Sequence, residues 1–346
     1  MPVKLTRLAD LNALPFDQII DARSPAEFAL DHIPGAVNLP SLDDEERAIV
    51  GTIYVRESRF RARKVGAAMV ARNIATHLEG PLAHRDGAWQ PLVYCWRGGQ
   101  RSGTFANYLS QVGWRAETLD GGYRSYRKLV SKLCHDEPFP SKVVLLDGHT
   151  GTAKTELLHL LEARGVQVLD LEGVANHRGS AFGARKGGQP SQKQFEGVLA
   201  KKIDALDPQR PVILEAESSK VGSCIVPPSI WKAMKGAPRI RITAPIKQRA
   251  AYLTEAYADL WENPEGLKDG IQALQGLHSA EIIANWRSLT TTGQFGAFTE
   301  DLMVRHYDPR YGKAKQSVAV ELHSDSLKPQ GLELLAARVE GAINSL

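Results

Sequence analysis

One cysteine in the sequence has neighbours that are unusual for a buried structural residue. Cys95 follows the apolar run 91–94 and precedes a helical pattern at 102–112. Two glycines in the loop between the run and the helix allow the chain to curl, so that successive backbone N–H groups point inward. These N–H groups and the positive end of the next helix favour a bound anion. The same setting stabilises a thiolate, which is the nucleophilic form of cysteine. We therefore predict a catalytic Cys95 in an anion cradle formed by Arg97, Gly98, Gly99 and Arg101.

A second anion site is predicted where the apolar run 143–147 meets a helical pattern at 155–163. Residues 148–155 read GHTGTAKT, which matches the phosphate-loop pattern G-x-x-x-x-G-K-[ST] except that Ala153 replaces a glycine. Alanine fits there only if the position does not require a strongly positive φ. The loop is therefore compatible with diphosphate binding but argues against ordinary NTP hydrolysis. The predicted diphosphate-binding residues are Gly148, Thr150, Gly151, Lys154 and Thr155.

Polar residues at the ends of neighbouring apolar runs extend this second site. Glu215 is a candidate for positioning a metal ion or a water molecule, whereas we expect Glu217 to be solvated at the end of its strand. His177 and Arg178 lie in a polar, glycine-bearing loop at the edge where ligands bind in parallel sheets. We predict that both contact the bound anion; the alternative is an ordinary surface loop.

Short apolar runs that alternate with helical patterns indicate an α/β fold with mostly parallel sheets. One series of runs ends before residue 137, and a second begins after the proline-containing segment 135–141. The second series includes a helical pattern at 191–206, and residues 246–306 are helical almost throughout. We therefore expect two domains, 1–137 and 138–346, the second with a helical C-terminal part.

Composition restricts the class of protein. The 346 residues include 43 lysines and arginines against 39 acidic residues, a formal net charge of +4, with 43% hydrophobic residues. These values are typical of a globular chain and exclude a disordered or polybasic one. Three cysteines form no disulfide framework, no apolar run has the length of a membrane span, and no signal-peptide pattern is present. We expect a cytoplasmic protein with no resident metal and no tightly bound cofactor, in which the need for Mg²⁺ is open.

Three ordered motifs resemble those of rhodanese domains. They are the segments DARSPAEF (21–28) with HIPGAVN (32–38), the six-residue loop 95–100, and LDGGY (119–123). The resemblance covers about residues 1–137 and implies a rhodanese-like parallel-sheet domain, followed here by a P-loop NTPase-like α/β domain. It also implies a cysteine that carries sulfur or selenium as a persulfide-type intermediate. We expect Asp21 and Arg23 to maintain the fold as a buried ion pair.

The Cys95 loop, the phosphate loop and residues 177–183 together resemble the tRNA 2-selenouridine synthase family over essentially the whole chain. The resemblance implies a transferase that replaces sulfur with selenium at C2 of the wobble 2-thiouridine. It implies an S-geranyl intermediate made from geranyl diphosphate, and selenophosphate as the selenium donor. A diphosphate leaving group suits the cradle and Lys154, and selenium delivery suits a low-pKa, partly exposed cysteine. Neither a membrane nor an obligate protein partner is implied.

Two basic segments are candidates for contact with tRNA. The first has five cations within nine residues, and in the second aromatic residues alternate with cations, a pattern that suits phosphate binding and base stacking. The alternative for each is an ordinary solvated face. The candidate residues are Arg56, Arg59, Arg61, Arg63, Lys64, Arg305, Tyr307, Arg310 and Tyr311.

Two other functions stay open on the sequence alone. One is a rhodanese-type sulfurtransferase fused to a P-loop kinase or NTPase, which ATP turnover by the chain would reveal. The other is a regulatory protein whose inactive rhodanese fold senses an anion. The presence of Cys95 argues against the regulatory protein, because inactive rhodanese folds usually lack the cysteine.

Overall fold

A computed structural model describes residues 2–311 and 317–346; the side chain of Tyr311, a predicted RNA contact, lies outside the described residues. The chain divides into two units, Met1–Glu137 with Ser191–Ala205, and Pro138–Pro190 with Leu206–Leu346. Parallel sheets and helices in both units confirm the predicted α/β class. Among the described helices, none is long and apolar enough to cross a membrane.

Strands and helices alternate along most of the chain. The strands are β1 (Gln18–Asp21), β2 (Val37–Asn38), β3 (Pro91–Tyr94), β4 (Glu117–Thr118), β5 (Val143–Gly148), β6 (Gln167–Leu169), β7 (Val212–Glu215), β8 (Lys220–Val221), β9 (Cys224–Ile225), β10 (Arg239–Thr243) and β11 (Val320–His323). The helices are α1 (Asp10–Ala13), α2 (Pro25–Leu30), α3 (Asp44–Arg56), α4 (Arg59–Glu79), α5 (Gln100–Val112), α6 (Tyr123–Ser131), α7 (Lys154–Ala163), α8 (Leu171–Val174), α9 (Gln192–Asp204), α10 (Pro228–Lys235), α11 (Ile246–Ala256), α12 (Ala258–Trp261), α13 (Pro264–Ala273), α14 (Ala280–Thr291), α15 (Phe295–Leu302), α16 (Asp308–Tyr311) and α17 (Pro329–Ser345). Two π-helical turns, Lys132–Asp136 and Met303–Tyr307, follow α6 and α15.

The sheet of the first unit is parallel, with the strand order β2-β1-β3-β4. Ile20 of β1 pairs with Val93 of β3, and both side chains are fully buried, so the sheet is held by apolar burial on its faces. Because β1 and β3 are parallel neighbours, the residues that follow their last apolar positions meet at one edge. Asp21 and Cys95 therefore lie at the same edge of the sheet.

Helix α9 belongs to the first unit, although the sequence analysis assigned its residues to the second domain. Arg127 of α6 forms an ion pair with Glu196 of α9, and Gln194 donates a hydrogen bond to the Ala29 carbonyl at 3.0 Å. Gly197 faces the Tyr126 hydroxyl so closely that a Cβ atom would not fit. An apolar pattern predicts a helix but does not show which sheet the helix packs against. The first π-helical turn also shortens the predicted linker, which begins after Asp136.

The sheet of the second unit is parallel, with the order β11-β10-β5-β7-β6. Its central strand β5 is buried along its whole length. Helices α7 and α17 pack together against the sheet through leucines such as Leu157, Leu161 and Leu335. The central strand thus delivers the segment after Gly148 to the carboxyl edge of the sheet, where ligands bind in open α/β folds.

The predicted helical part of this unit is confirmed as helices α11 to α16 and the second π-helical turn. Its core is aromatic: Trp286 and Phe298 are almost completely buried, and the Trp286 indole N–H donates to Asp301 Oδ2 at 2.7 Å. Large aromatic side chains supply the buried area that short helices need to pack stably.

Candidate active sites

Cys95 lies directly after β3, and its sulfur is surrounded by hydrogen-bond donors. The Gly99 N–H donates to Cys95 Sγ at 3.3 Å, and the Ser102 hydroxyl donates to the same atom at 3.2 Å. Gly98 has φ +66°, and a Cβ atom there would lie 2.7 Å from the Leu119 carbonyl oxygen. The loop therefore depends on glycine at position 98 to turn its N–H groups toward the sulfur.

Burial raises the pKa of the Cys95 thiol, but hydrogen bonds from Ser102 and Gly99 and the charge of Arg101 outweigh it, so that the pKa lies below its ordinary value. Cys134 and Cys224 have the opposite balance: burial raises the pKa of each thiol, and in Cys224 it outweighs a hydrogen bond from Ser223. Cys95 is therefore the thiol best suited to act as a thiolate near neutral pH.

The surroundings of Cys95 differ in part from the sequence prediction. We expected a partly exposed cysteine, and that was wrong: the residue is only 3% exposed. Arg101 lies beside the cradle and donates to Glu27 Oε2 at 3.1 Å, whereas Arg97 is exposed on the loop. The Cys95 residue is therefore largely shielded from solvent in this structure.

Asp21 and Arg23 form a buried ion pair, as we expected from the sequence. Arg23 Nη2 is 2.6 Å from Asp21 Oδ2, and the Tyr94 hydroxyl donates to the same oxygen at 2.6 Å. The guanidinium also lies 4.0 Å from the ring centre of Tyr123. This network stabilises the edge of the sheet from which the Cys95 loop extends.

The predicted phosphate loop connects β5 to α7, and its alanine has a backbone conformation that we did not expect. Ala153 has φ +58° and ψ +33°, in the left-handed region, directly before the first residue of α7. The expectation that alanine would be tolerated only without a positive φ was therefore wrong. A left-handed alanine costs about 1–2 kcal/mol, and the surrounding packing must offset this cost, because Ala153 is only 3% exposed.

The lysine and threonine of the loop lie at the N-terminus of α7. Lys154 Nζ donates to the Gly148 carbonyl at 2.8 Å, and Thr155 Oγ1 donates to Glu172 Oε2 at 3.3 Å. The N-terminus of a helix and a lysine beside it together favour a bound phosphate group.

Arg249 of α11 supports the phosphate loop through a contact with its backbone. Its Nη1 atom donates to the Thr150 carbonyl at 3.1 Å, and its Nη2 atom is 2.7 Å from Asp308 Oδ2. His149 contacts the same carboxylate, with Nδ1 3.2 Å from Asp308 Oδ1. The ion pair between Arg249 and Asp308 therefore links the loop to the helical part of the unit.

A cleft opens beside the phosphate loop, and most of the predicted site residues of this unit line it. The predicted residues along the cleft are Thr150, Gly151, Lys154, Thr155, Arg178, Tyr307 and Arg310. Tyr307 and Arg310 were predicted to contact RNA, whereas here they lie beside the phosphate loop. Gly148, His177 and Glu215 do not line the cleft in the described structure. His177 Nδ1 instead accepts a hydrogen bond from the Gly179 N–H at 3.1 Å.

Two arginines, Arg178 and Arg185, line the cleft together with Lys154. Arg178 stacks over the Tyr257 ring at 4.5 Å and pairs with Asp259 at 2.6 Å, and Arg185 lies nearby. Within the described residues, Arg178 Nη1 and Arg185 Nε are buried and have no hydrogen-bond partner. Buried donors without partners are costly, so an anion in the cleft would satisfy them.

The acidic residues are arranged differently from the prediction. Glu215, the predicted candidate, is completely buried; burial raises its pKa well above the usual range, and its carboxylate accepts from the Leu171 N–H. Glu172 and Glu217 line the cleft instead, and burial, together with Glu217, raises the pKa of Glu172 to about 8. In the part of the chain that is described, no group of three or more metal-ligating side chains is present. Thr155 Oγ1 and Glu172 Oε2 lie 3.3 Å apart beside the loop and are two oxygen atoms that a Mg²⁺ ion could contact.

The first basic segment runs from the last residue of α3 through the α3–α4 turn into the first turns of α4, in the first unit. Its five cations are all exposed, and so are Tyr54, Val55 and Phe60, the last with 77% of its surface exposed. Arg61 pairs with Glu57, and Arg59 lies 5.5 Å from the ring centre of Tyr54. In the second basic segment, Arg305 pairs with Asp301 at 2.7 Å on the surface.

Several residues of the second site were not predicted from the sequence. Arg185 and Tyr257 line the cleft, and Arg249 supports the loop. Arg185 carries a weak local signal, because it follows the glycine-bearing loop that holds Arg178. Arg249 carries none, since it is separated from Thr150 by 99 positions along the chain.

The fold and the sites define two known domain classes in one chain. The family model described as rhodanese-like domain matches residues 5–129, and the model described as tRNA 2-selenouridine synthase AAA domain matches residues 141–279. The tRNA 2-selenouridine synthase of Pseudomonas savastanoi pv. phaseolicola is 36% identical over 95% of this chain and 96% of its own length. The enzyme of the same name from Pseudomonas syringae pv. syringae is 37% identical over 71% of this chain and 66% of that protein, and the one from Hahella chejuensis is 36% identical over 73% and 68%. The chain belongs to the tRNA 2-selenouridine synthase family.

Proposed function

We propose that this chain is an enzyme that converts the wobble 2-thiouridine of tRNA to 2-selenouridine through an S-geranyl intermediate. The observation that carries the proposal is the presence, in one chain of this family, of a thiolate cradle and of a separate phosphate loop beside a cleft that Lys154, Arg178 and Arg185 line. A tRNA substrate would place the reaction in the cytoplasm.

In the first step, geranyl diphosphate binds with its diphosphate at the phosphate loop. The thiocarbonyl sulfur of the base attacks C1 of the geranyl group, the bond from C1 to the diphosphate oxygen breaks, and the base loses its N3 proton. Lys154, the N-terminus of α7 and the two arginines would stabilise the charge that develops on the departing diphosphate. Glu172 lies in the same cleft, and its raised pKa suits a group that accepts a proton near neutral pH.

In the second step, selenium is transferred from the donor selenophosphate, and Cys95 takes part in this transfer. A C–Se bond forms at C2 while the C–S bond breaks, geranyl thiol leaves, and water releases phosphate from the donor. The low pKa of Cys95 supports a role as the nucleophile that attacks the phosphorus of selenophosphate and displaces hydrogen selenide for attack at C2, after which water cleaves the S–P bond, releases phosphate and restores the thiol. The loop N–H groups would hold the oxygens of the donor.

Contact with tRNA is proposed at the α3–α4 turn, because exposed cations and exposed apolar side chains occur there together. Cations bind phosphates, and an aromatic side chain such as Phe60 can stack on an unpaired base.

The test is reconstitution with purified chain, tRNA that carries 2-thiouridine, geranyl diphosphate and selenophosphate, followed by mass spectrometry of the nucleosides. We expect S-geranyl-2-thiouridine when the donor is omitted and 2-selenouridine when it is present. Cys95→Ser should abolish the selenium product but keep the geranyl product, and Cys224→Ser should behave as wild type. Conversion by Cys95→Ser at the wild-type rate, or ATP turnover without any geranyl product, would contradict the proposal and favour a P-loop kinase fused to a sulfurtransferase.

A further inference from the structure

One aromatic side chain beside the Cys95 cradle is exposed, and the proposed steps do not use it. Trp96 follows Cys95 in the loop, and 36% of its surface is exposed, the largest exposed fraction among the six tryptophans of the chain. A tryptophan contributes most to stability when its ring is buried. An indole that is left in solvent directly beside a reactive thiol therefore points to a binding surface.

The Trp96 ring is held in place by buried neighbours. Its centre lies 5.2 Å from the ring centre of Tyr123 and 6.0 Å from the Arg23 guanidinium, and both of these residues are buried. The Arg124 N–H donates to the Trp96 carbonyl at 3.2 Å, which fixes the backbone as well. The exposed part of the ring therefore lies on the side away from Tyr123 and Arg23, and it is positioned before any ligand binds.

The surface beside the ring carries positive charge. Arg97 follows Trp96 in the loop, and Arg124 contacts its backbone. Both arginines are exposed, and neither forms an ion pair within the residues that the structure describes. Single-stranded RNA has the matching chemistry, because its phosphates bind cations and every base has a face that can stack on an aromatic ring.

We propose that Trp96 stacks on the wobble base of tRNA during the selenium step, with Arg97 and Arg124 at adjoining phosphates. The inference rests on the proposed function, because it names the residue that holds the substrate base at the Cys95 site. Hydrogen selenide that is displaced at Cys95 must reach C2 of the base before it diffuses away. A base held on the next residue of the loop meets this requirement, since fixed geometry replaces a chance encounter.

The first test measures the selenium half-reaction of the full chain with selenophosphate and an anticodon stem–loop RNA that already carries S-geranyl-2-thiouridine. We expect Trp96→Ala to lower kcat/KM at least about tenfold, mainly through KM, which is the effect of losing one base-stacking contact. Tyr108→Ala, which removes another exposed aromatic ring from the same unit, should react like the wild type. Geranyl transfer and the alkylation of Cys95 by iodoacetamide should keep their wild-type rates in Trp96→Ala, which excludes a collapsed loop.

A second measurement isolates the contact with the base and compares two replacements of similar size. Two unreactive stem–loops inhibit the selenium half-reaction; one has uridine at the wobble position, and the other lacks the base there. The wild type should bind the stem–loop with the base about tenfold more tightly. Trp96→Phe should keep most of this preference, because phenylalanine can stack, whereas Trp96→Leu should bind both RNAs equally.

Three results would overturn the role of Trp96 while selenium transfer by the wild type upheld the proposed function. They are an unchanged kcat/KM in Trp96→Ala, an equal loss of geranyl transfer in that variant, and an unchanged preference for the base in Trp96→Leu. Absence of selenium transfer by the wild-type chain would instead overturn the proposed function.

Discussion

The hydrogen bond from Ser102 to Cys95 can be removed with little change in volume. Because this bond lowers the pKa of the Cys95 thiol, Ser102→Ala should raise that pKa and leave less thiolate at neutral pH. A hydrogen bond to a charged group contributes about 1.5–3 kcal/mol, so we expect alkylation of Cys95 by iodoacetamide at pH 7 to slow by about tenfold. The measurement is the pH profile of the alkylation rate, whose midpoint should move to higher pH.

Ser110→Ala on the same helix is the control for this prediction, since the Ser110 hydroxyl donates to the Ala106 carbonyl at 2.9 Å instead of to the sulfur. The Ser110 variant should alkylate like the wild type. If Ser102→Ala alkylates with the wild-type pH profile, the thiolate owes its stability to the loop N–H groups and Arg101 alone.

Ala153 gives a second prediction at this scale. Ala153→Gly relieves about 1–2 kcal/mol of left-handed strain. The substitution also removes a buried methyl group, which costs about 0.8 kcal/mol of stability. Glycine gives the unfolded chain more conformational freedom, which costs about a further 0.4–1 kcal/mol. We therefore expect its free energy of unfolding to stay close to that of the wild type.

The control for Ala153→Gly is the same substitution at Ala163, the last residue of α7, where the backbone is helical. Denaturant unfolding should show a loss of at most about 1 kcal/mol for Ala163→Gly, the value for a glycine in a helix interior. A larger loss for Ala153→Gly than for Ala163→Gly would mean that Ala153 does not have a positive φ in solution.

Local motifs explain why Cys95 and Lys154 could be predicted, since each stands in a strand–loop–helix segment that is continuous in sequence. The backbone angle of Ala153 could not be predicted, because the residue type indicates only which angles are preferred and packing imposes the angle that is adopted. Arg249 could not either, because only the fold brings it to the Thr150 carbonyl.

At the scale of elements, the turn between α3 and α4 has the exposed surface that RNA binding requires. Phe60→Ala should weaken tRNA binding by about 1–3 kcal/mol, the usual contribution of an aromatic side chain that stacks on a base. Leu334→Ala on α17, which is also largely exposed, is the control and should bind tRNA normally. Filter binding at fixed salt measures both variants, and equal affinities would remove this turn from the tRNA site.

Periodicity predicted most of the elements, including β1, β3, β5 and the helices of residues 246–306. It placed α9 in the wrong unit, because its contacts to α6 join residues more than 60 positions apart. The short strands β8 and β9 were not predicted either, since two-residue strands carry almost no pattern.

At the scale of the whole molecule, the proposed function divides two chemical steps between two sites in one chain. In this proposal the phosphate loop serves the departing diphosphate, and Cys95 serves selenium transfer. Lys154 is the residue at which this division is most directly tested, because its charge should matter only where diphosphate leaves.

The measurement is the rate of each half-reaction for Lys154→Ala, with Lys268→Ala as a surface control. One assay supplies tRNA with 2-thiouridine and geranyl diphosphate; the other supplies tRNA that already carries the S-geranyl group, with selenophosphate. We predict that geranyl transfer falls by roughly a hundredfold, the effect of losing about 3 kcal/mol of transition-state stabilisation, while selenium transfer stays near the wild-type rate. Equal losses in both assays would contradict the division of the two steps, and normal geranyl transfer would contradict the phosphate loop itself.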